Sequence, residues 1–242
     1  MDQDQVKQQF EELLTAKQLD LSAEQWERFE LYYRELVDWN ERMNLTAITD
    51  REQVFVKHFY DSISLSFYVP LQSIASMADI GSGAGFPSIP LKIMFPHLKV
   101  TIVDSLNKRI GFLNALVTRL GLSDVSCLHG RAEDVARKSE HRDQYDLVTA
   151  RAVARLSVLN EFCLPFVKTG GLFAAMKGSD LPDELKEAKI SLRELKGEVE
   201  ASHQFELPVE HSTRHIVCIR KKAATPAKYP RKAGTPLKQP LV

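Results

Sequence analysis

The chain has 242 residues, 32 basic against 32 acidic, and is 44% hydrophobic and 26% charged. Those are values for a globular protein with one well-buried α/β domain plus an appendage. They argue against a membrane or secreted protein, because no apolar run reaches the ~18 residues of a span and Met-Asp-Gln-Asp-Gln is no signal peptide. Cys127, Cys163 and Cys218 lie far apart and make no metal spacing, so a reduced, cytoplasmic, metal-free chain is expected. The zero net charge hides a polarity. Residues 1–40 carry ten acids against four bases, and beyond Glu210 there is no acid at all. An acidic head and a basic tail suggest an anionic partner at one end.

In chain order, residues 1–70 read as helices. Phe10, Leu13 and Leu14 mark the first. Ser22 with Gln25 spells a capping box, behind which Trp26, Phe29, Tyr33, Leu36 and Val37 recur on one face. After a turn at 40–49, Asp50 with Gln53 starts a third helix through Phe55, Phe59 and Ile63. This aromatic stripe is expected to pack as a helical cap on a sheet.

The chain is organised around Ala78-Asp-Ile-Gly-Ser-Gly-Ala-Gly-Phe-Pro-Ser-Ile-Pro90. Residues 73–78 read as a buried strand and 91–95 as a short helix with Pro87 or Pro90 in its first turn. Strand, glycine turn, helix is how an open α/β sheet opens a nucleotide pocket. The glycines at 81, 83 and 85 depart from the dinucleotide spacing, whose third glycine would fall at Phe86. Asp79 two places before Gly81 suits a ligand without phosphate, an amine or sulfonium beside an adenosine. S-adenosyl-L-methionine fits that description.

A second strand, 99–103, ends on Asp104, 23 residues after Gly81, where this architecture holds ribose hydroxyls. Asp104 as a solvated cap of the helix at 107–120 is the plainer alternative. The third strand, 124–129, leads into Ala132 and Glu133, where a backbone amide and a carboxylate meet an adenine edge or simply start a helix. The fourth, 145–150, delivers Arg151 beside the methyl donor, or into a salt bridge with Asp79 or Asp104. A helix at 156–167, a strand at 170–176, a charged helix at 180–196 and closing strands at 198–207 and 214–220 complete an α/β part spanning 71–222.

Residues 223–242 hold four of the eleven prolines and no acid. They cannot build a core of their own and read as extended or disordered in isolation, burying little. Tyr229 beside Arg231 and Lys232 is a combination suited to stacking on bases and contacting phosphates.

Five separated motifs, in order, resemble the RsmG (GidB) family of bacterial small-subunit rRNA methyltransferases across essentially the whole chain. They are Trp39-Asn-Glu-Arg-Met-Asn-Leu-Thr46, Lys57-His-Phe-Tyr-Asp-Ser62, the glycine turn running into Phe-Pro, Thr149-Ala-Arg-Ala-Val-Ala154, and Tyr229-Pro-Arg…Gly-Thr-Pro236. The resemblance implies a Rossmann-like class I S-adenosylmethionine-dependent fold with a helical N-terminal cap. It implies methyl transfer to N7 of a guanine in 16S rRNA, with naked RNA, a partial (precursor) ribosomal particle and the full small subunit all open as the form of the substrate. Matched residue by residue, it points to Gly81, Phe86, Asp104 with Ser105 and Leu106, Ala132, Glu133 and Arg151 as cofactor contacts, beside Asp79 and Gly83 from the turn itself. Arg155, Lys228, Arg231 and Lys232 are expected to meet RNA. Guanine N7 has a lone pair and no proton to lose, so no catalytic base is expected and alignment should dominate. A monomer with no membrane contact is expected. Three alternatives stay open: a nicotinamide oxidoreductase, which needs Gly at 86; a methyltransferase for another RNA or a small molecule; and a non-enzymatic RNA adaptor.

Overall fold

The computed structural model describes residues 3–178 and 181–242. Seven strands form one sheet: β1 (Ser76–Ile80), β2 (Lys99–Asp104), β3 (Val125–His129), β4 (Tyr145–Arg151), β5 (Val167–Lys177), β6 (Gly197–Glu206) and β7 (Thr213–Lys221). They lie in the order β3-β2-β1-β4-β5-β7-β6. The first five run parallel, and β7 is antiparallel to both its neighbours. The winding reverses between β1 and β4, and ligands of open α/β sheets bind outside the strands' carboxyl ends at such a point. The Rossmann-like α/β expectation holds. β1 starts and ends later than the sequence suggests, because its pairing with β2 runs from Ser76↔Lys99 to Ile80↔Val103, up to the glycine turn.

Helices α1 (Gln3–Thr15) and α2 (Ala23–Asn40) lead the chain. The capping box is formed: the Gln25 amide donates to Ser22 Oγ, and the Ser22 amide donates to Gln25 Oε1. The third helical run comprises α3 (Arg51–Val54), a π-helical turn (Phe55–Tyr60), α4 (Asp61–Ile63) and a 3-10 turn (Ser64–Phe67). Asp50 caps it by accepting from the Gln53 amide. Then come α5 (Ser88–Met94), α6 (Asn107–Arg119), α7 (Ala132–Val135), α8 (Leu156–Cys163), α9 (Leu181–Glu187), α10 (Lys189–Leu195) and α11 (Thr235–Lys238). The charged helix expected at 180–196 is two helices meeting at Ala188, and Asp180 lies outside the described residues.

Alternate strand residues face opposite cores, as a sheet covered on both sides requires. Met77, Ile102, Leu147 and Ala174 pack with Phe10, Phe29, Phe59, Phe112 and Ile89. Ala78, Val148, Phe173 and Ala175 pack on the other side with Leu159, Phe162, Leu195 and Tyr229. The N-terminal helices therefore share one core with the sheet. No helix among the described residues is long and apolar enough to cross a membrane.

The last twenty residues bury more than composition suggested, because the folded domain supplies partners that the segment lacks in isolation. Tyr229 is buried and its hydroxyl donates to Glu194. Arg142 donates to the carbonyls of Thr225, Pro226 and Tyr229, and Arg137 to that of Pro230. Composition averages over a segment, whereas docking needs only a few directional anchors at the right places.

Candidate active site

The glycine turn joins β1 to α5. Gly81 sits at φ +76°, and a Cβ there would meet the Val153 side chain at 2.9 Å. At Gly85 (φ +99°) a Cβ would meet Ile89 and the Tyr32 hydroxyl at 2.8 Å. Both positions need glycine for conformation and for space. Tyr32 reaches in from α2: its hydroxyl donates to the Ala84 carbonyl and its ring stacks on Phe86 at 5.5 Å.

Asp79, just before the turn, is fully buried. Its Oδ2 accepts from the Ser88 amide at 3.2 Å, while Oδ1 has no hydrogen-bond partner. Burial pushes the carboxyl up to about 7, against the opposing pull of Ser88 and Arg151. The Ser88 hydroxyl is near enough to exert that pull but does not meet hydrogen-bond geometry, and Ser82 Oγ is also buried without a partner. Unsatisfied buried polar groups cost about 1–3 kcal/mol each. Asp79 and the Ser88 hydroxyl act on each other in the buried interior, whereas Ser82 lines the cavity at the glycine turn, where its free hydroxyl fits a polar ligand such as an amino-acid end.

Asp104 closes β2 with both oxygens engaged. Oδ1 accepts from the Leu106 amide (2.9 Å) and Oδ2 from the Gly83 amide (3.1 Å). Arg109 stands 3.6 Å away. A carboxylate has about four acceptor sites, so capacity remains for two hydroxyls. Next to it a cavity of about 170 Å³ is lined by Gly81, Val103, Ser105, Ala132, Glu133 and Leu237, among others. Glu133 is 2% exposed, and its Oε1 accepts from the Gly234 amide at 2.8 Å.

Arg151 pairs with neither Asp79 nor Asp104. Its Nη1 donates to Asp61 Oδ2 (2.8 Å) and to the Lys57 carbonyl (3.2 Å), and the guanidinium lies over the Phe86 ring at 4.9 Å. The π turn brings Lys57, His58 and Asp61 to this place, a common use of such turns. Arg214 Nε lies 3.4 Å from Asp61 Oδ1 without completing a hydrogen bond. The His58 ring also stacks on Phe86, at 4.6 Å. His58 Nδ1 faces the Lys57 carbonyl, which only accepts, so Nδ1 carries the proton and Nε2 accepts from the Thr46 hydroxyl (2.8 Å). Burial first, then Arg151, push the imidazole down to about 3, so it is neutral at physiological pH.

A second cavity, about 230 Å³, runs from Gly81–Ala84 past Phe86 to Thr46, His58 and Arg151. A third, about 330 Å³, continues outward between Lys57, Asp61, Lys177 and Arg214. The three share Gly81, or His58 and Arg151, and form one cleft along the carboxyl edge of the sheet.

The structure thus lines this cleft with Gly81, Gly83, Phe86, Ser105, Ala132, Glu133 and Arg151, with Asp104 bonded to Gly83 at its edge and Asp79 fully buried just before the turn. Leu106 is half exposed and contributes its amide to Asp104. Of the residues expected to meet RNA, Arg155 pairs with Glu187 and Lys228 with Glu194, both at the surface. Arg231 is drawn inward: it donates from Nε and Nη2 to Glu161, which is 1% exposed. A buried carboxylate demands a counter-charge. Lys232 and Lys238 are exposed and have no ion pair among the described residues. Residue reasoning missed Tyr32, Ser82, Ser88, Arg214 and Leu237. Lys57-His-Phe-Tyr-Asp-Ser62 enters the sequence signal only as a family motif, in which His58 and Asp61 carry no assigned role.

The family model described as rRNA small subunit methyltransferase G matches residues 25–217. A Ribosomal RNA small subunit methyltransferase G from Exiguobacterium sibiricum is 56% identical over 97% of this chain and 99% of its own length. One of the same name from Halalkalibacterium halodurans is 57% identical over 96% of this chain and 98% of its own. Among solved structures, a SAM dependent methyltransferase from Aquifex aeolicus superposes with a TM-score of 0.50 at 18% identity, over 70% of this chain and 93% of that one. The likeness shows a shared fold.

Proposed function

The chain belongs to the rRNA small subunit methyltransferase G family, and from that premise we propose that it transfers a methyl group from S-adenosyl-L-methionine to N7 of a guanine in 16S rRNA. The observation that supports the cofactor most directly is the glycine turn itself, where Ser82 Oγ lines a cavity without a partner and Asp104 holds the Gly83 amide with acceptor capacity to spare. S-adenosylmethionine supplies a methyl group already activated on a sulfonium.

The chain's residues do the rest by binding and alignment. Asp79 and the turn take the amino-acid end, Asp104 accepts from the ribose hydroxyls, and Ala132 with Glu133 meet the adenine edge. Phe86, stacked with both Tyr32 and His58, sets the wall along which the methyl group and the base approach each other. Arg151 is fixed on Asp61 and Lys57, so it is a rigid border of the passage rather than a free cation. N7 has no proton to surrender, and the neutral His58, with both nitrogens engaged, is not required as a base. RNA phosphates are met by Lys228, Lys232 and Arg155 at the surface, while Arg231 serves to anchor the tail.

The deciding experiment incubates the protein with methyl-labelled cofactor and separated ribosomal fractions, then maps the label. Label at N7 of one guanine of 16S rRNA is the expected result. Label on another atom or another RNA, or none in any fraction while the cofactor still binds, overturns the proposal.

A further inference from the structure

We propose that the C-terminal segment is part of the cofactor site: Leu237 walls the adenosine cavity and Gly234 holds Glu133 in place, so that tail and cofactor stabilise each other. The inference rests on the cofactor assignment above and adds to it a contact that lies beyond the sheet.

The tail is led to the cavity in two stages. Its first part is clamped: Arg142 donates to three tail carbonyls, Tyr229 is 5% exposed, and Arg231 grips the buried Glu161. These anchors end at residue 231. Three residues later the Gly234 amide donates to Glu133 Oε1 at 2.8 Å, bridging 101 positions of sequence. Glu133 is itself 2% exposed, so this bond satisfies a carboxylate that water barely reaches. Oε2 takes no hydrogen bond among the described residues and is left as an acceptor, suited to the exocyclic amine of an adenine.

Leu237 then turns onto the cavity opposite Ala132, Val153 and Phe162. It is nevertheless 53% exposed. A leucine beside apolar walls yet half in water gains most when a flat ring fills the gap. Residues 237–240 are all exposed, and beyond the Glu133 bond this end is fixed by the short turn α11, buried Pro236 and the partly buried Leu241, which packs on the second core. An end that touches a ligand is coupled to it in both directions: whatever the tail adds to ligand affinity, the ligand adds to tail order.

The test uses S-adenosylhomocysteine and adenosine as probes, by calorimetry, on the full chain and three variants. Truncation after Lys232 keeps Tyr229 and Arg231 and removes Gly234 and Leu237. It should weaken both probes about tenfold or more, the scale of one hydrogen bond to a charged group plus an apolar wall. Leu237→Ala, at an exposed position where folding is safe, should cost about three- to tenfold. Gln239→Ala, exposed and off the cavity, should bind as the full chain does. In the converse measurement, saturating S-adenosylhomocysteine should slow tryptic cleavage of the full chain after Lys232 and Lys238 by about the factor by which truncation weakens binding. Equal affinity of the truncated and full chains, or cleavage rates indifferent to the ligand, overturns the tail's role while leaving the cofactor assignment standing. A full chain that binds neither probe overturns both.

Discussion

The two segments outside the sheet are held on by opposite means. The N-terminal helices dock through rings: Phe10, Phe29, Phe55 and Phe59 are at most 1% exposed, and successive centroids lie 5.0–5.3 Å apart. The C-terminal tail docks through directional polar bonds, chiefly Arg142 on backbone carbonyls and Arg231 on Glu161. Ring packing spreads its energy over a wide surface and dries whatever it covers, here the glycine turn under Tyr32 and Phe86. Polar anchoring concentrates energy in a few bonds whose loss strands a buried charge. The first builds a fixed wall of the site, and the second carries a movable edge to it.

The largest expected effect tests the fixed wall. Phe59→Ala empties the centre of the ring cluster, between Phe29, Tyr32 and Phe55, and should cost about 3–5 kcal/mol in urea unfolding. A loss under about 1 kcal/mol would mean that the cap does not share the sheet's core.

Arg231→Ala comes next, because it leaves Glu161 buried and unpaired. Removing one partner of a buried pair costs about 3–5 kcal/mol, and local release of the tail should let water in and hold the loss to the lower end. Adding Glu161→Gln in the same chain should recover a good part of it. If the second change recovers nothing, the anchor is steric and the contrast with the cap fails.

The dryness imposed by the cap can be read through Asp79. Its folded pKa, about 7 against an ordinary 3.8, means that the folded state keeps a proton that the unfolded chain has lost. Stability from this group is therefore complete below about pH 4 and drains away as pH rises toward 7. His58 runs the other way: with its folded pKa near 3, stability falls as pH drops from about 6.5 toward 3. Asp79→Asn should therefore stabilise the ligand-free protein at pH 8 by about 1–3 kcal/mol and leave it unchanged near pH 4. It should also weaken S-adenosylhomocysteine binding. Denaturation at the two pH values checks the sign, and equal shifts at both would remove Asp79 as the titrating group.

The smallest effect concerns the free cations of the tail. Lys232→Ala with Lys238→Ala should move stability by less than about 0.5 kcal/mol. The salt slope of RNA binding should fall by about 0.7 for each phosphate that these lysines neutralise. An unchanged slope would take these two lysines off the RNA.

The sequence by itself determined the frame. Parallel strands and helices follow from apolar runs punctuated by glycine and proline, the capping box at Ser22 follows from two side chains three apart, and Asp104 follows from its distance to Gly81. These are local or fixed-spacing signals, and local physics writes them directly into residue order. Phe86 stood out only through family likeness, because its neighbours His58 and Tyr32 come from separate helices. Only tertiary structure decided where charges pair. Arg151 finds Asp61 ninety positions away because the π turn and the end of β4 meet at the sheet's carboxyl edge. The tail docks, despite a composition that argued against it, because Glu161 and Glu133 are buried elsewhere in the fold and need the donors it carries. Burial of a carboxylate is a property of the folded state, and the residues that answer it can lie at any distance along the chain.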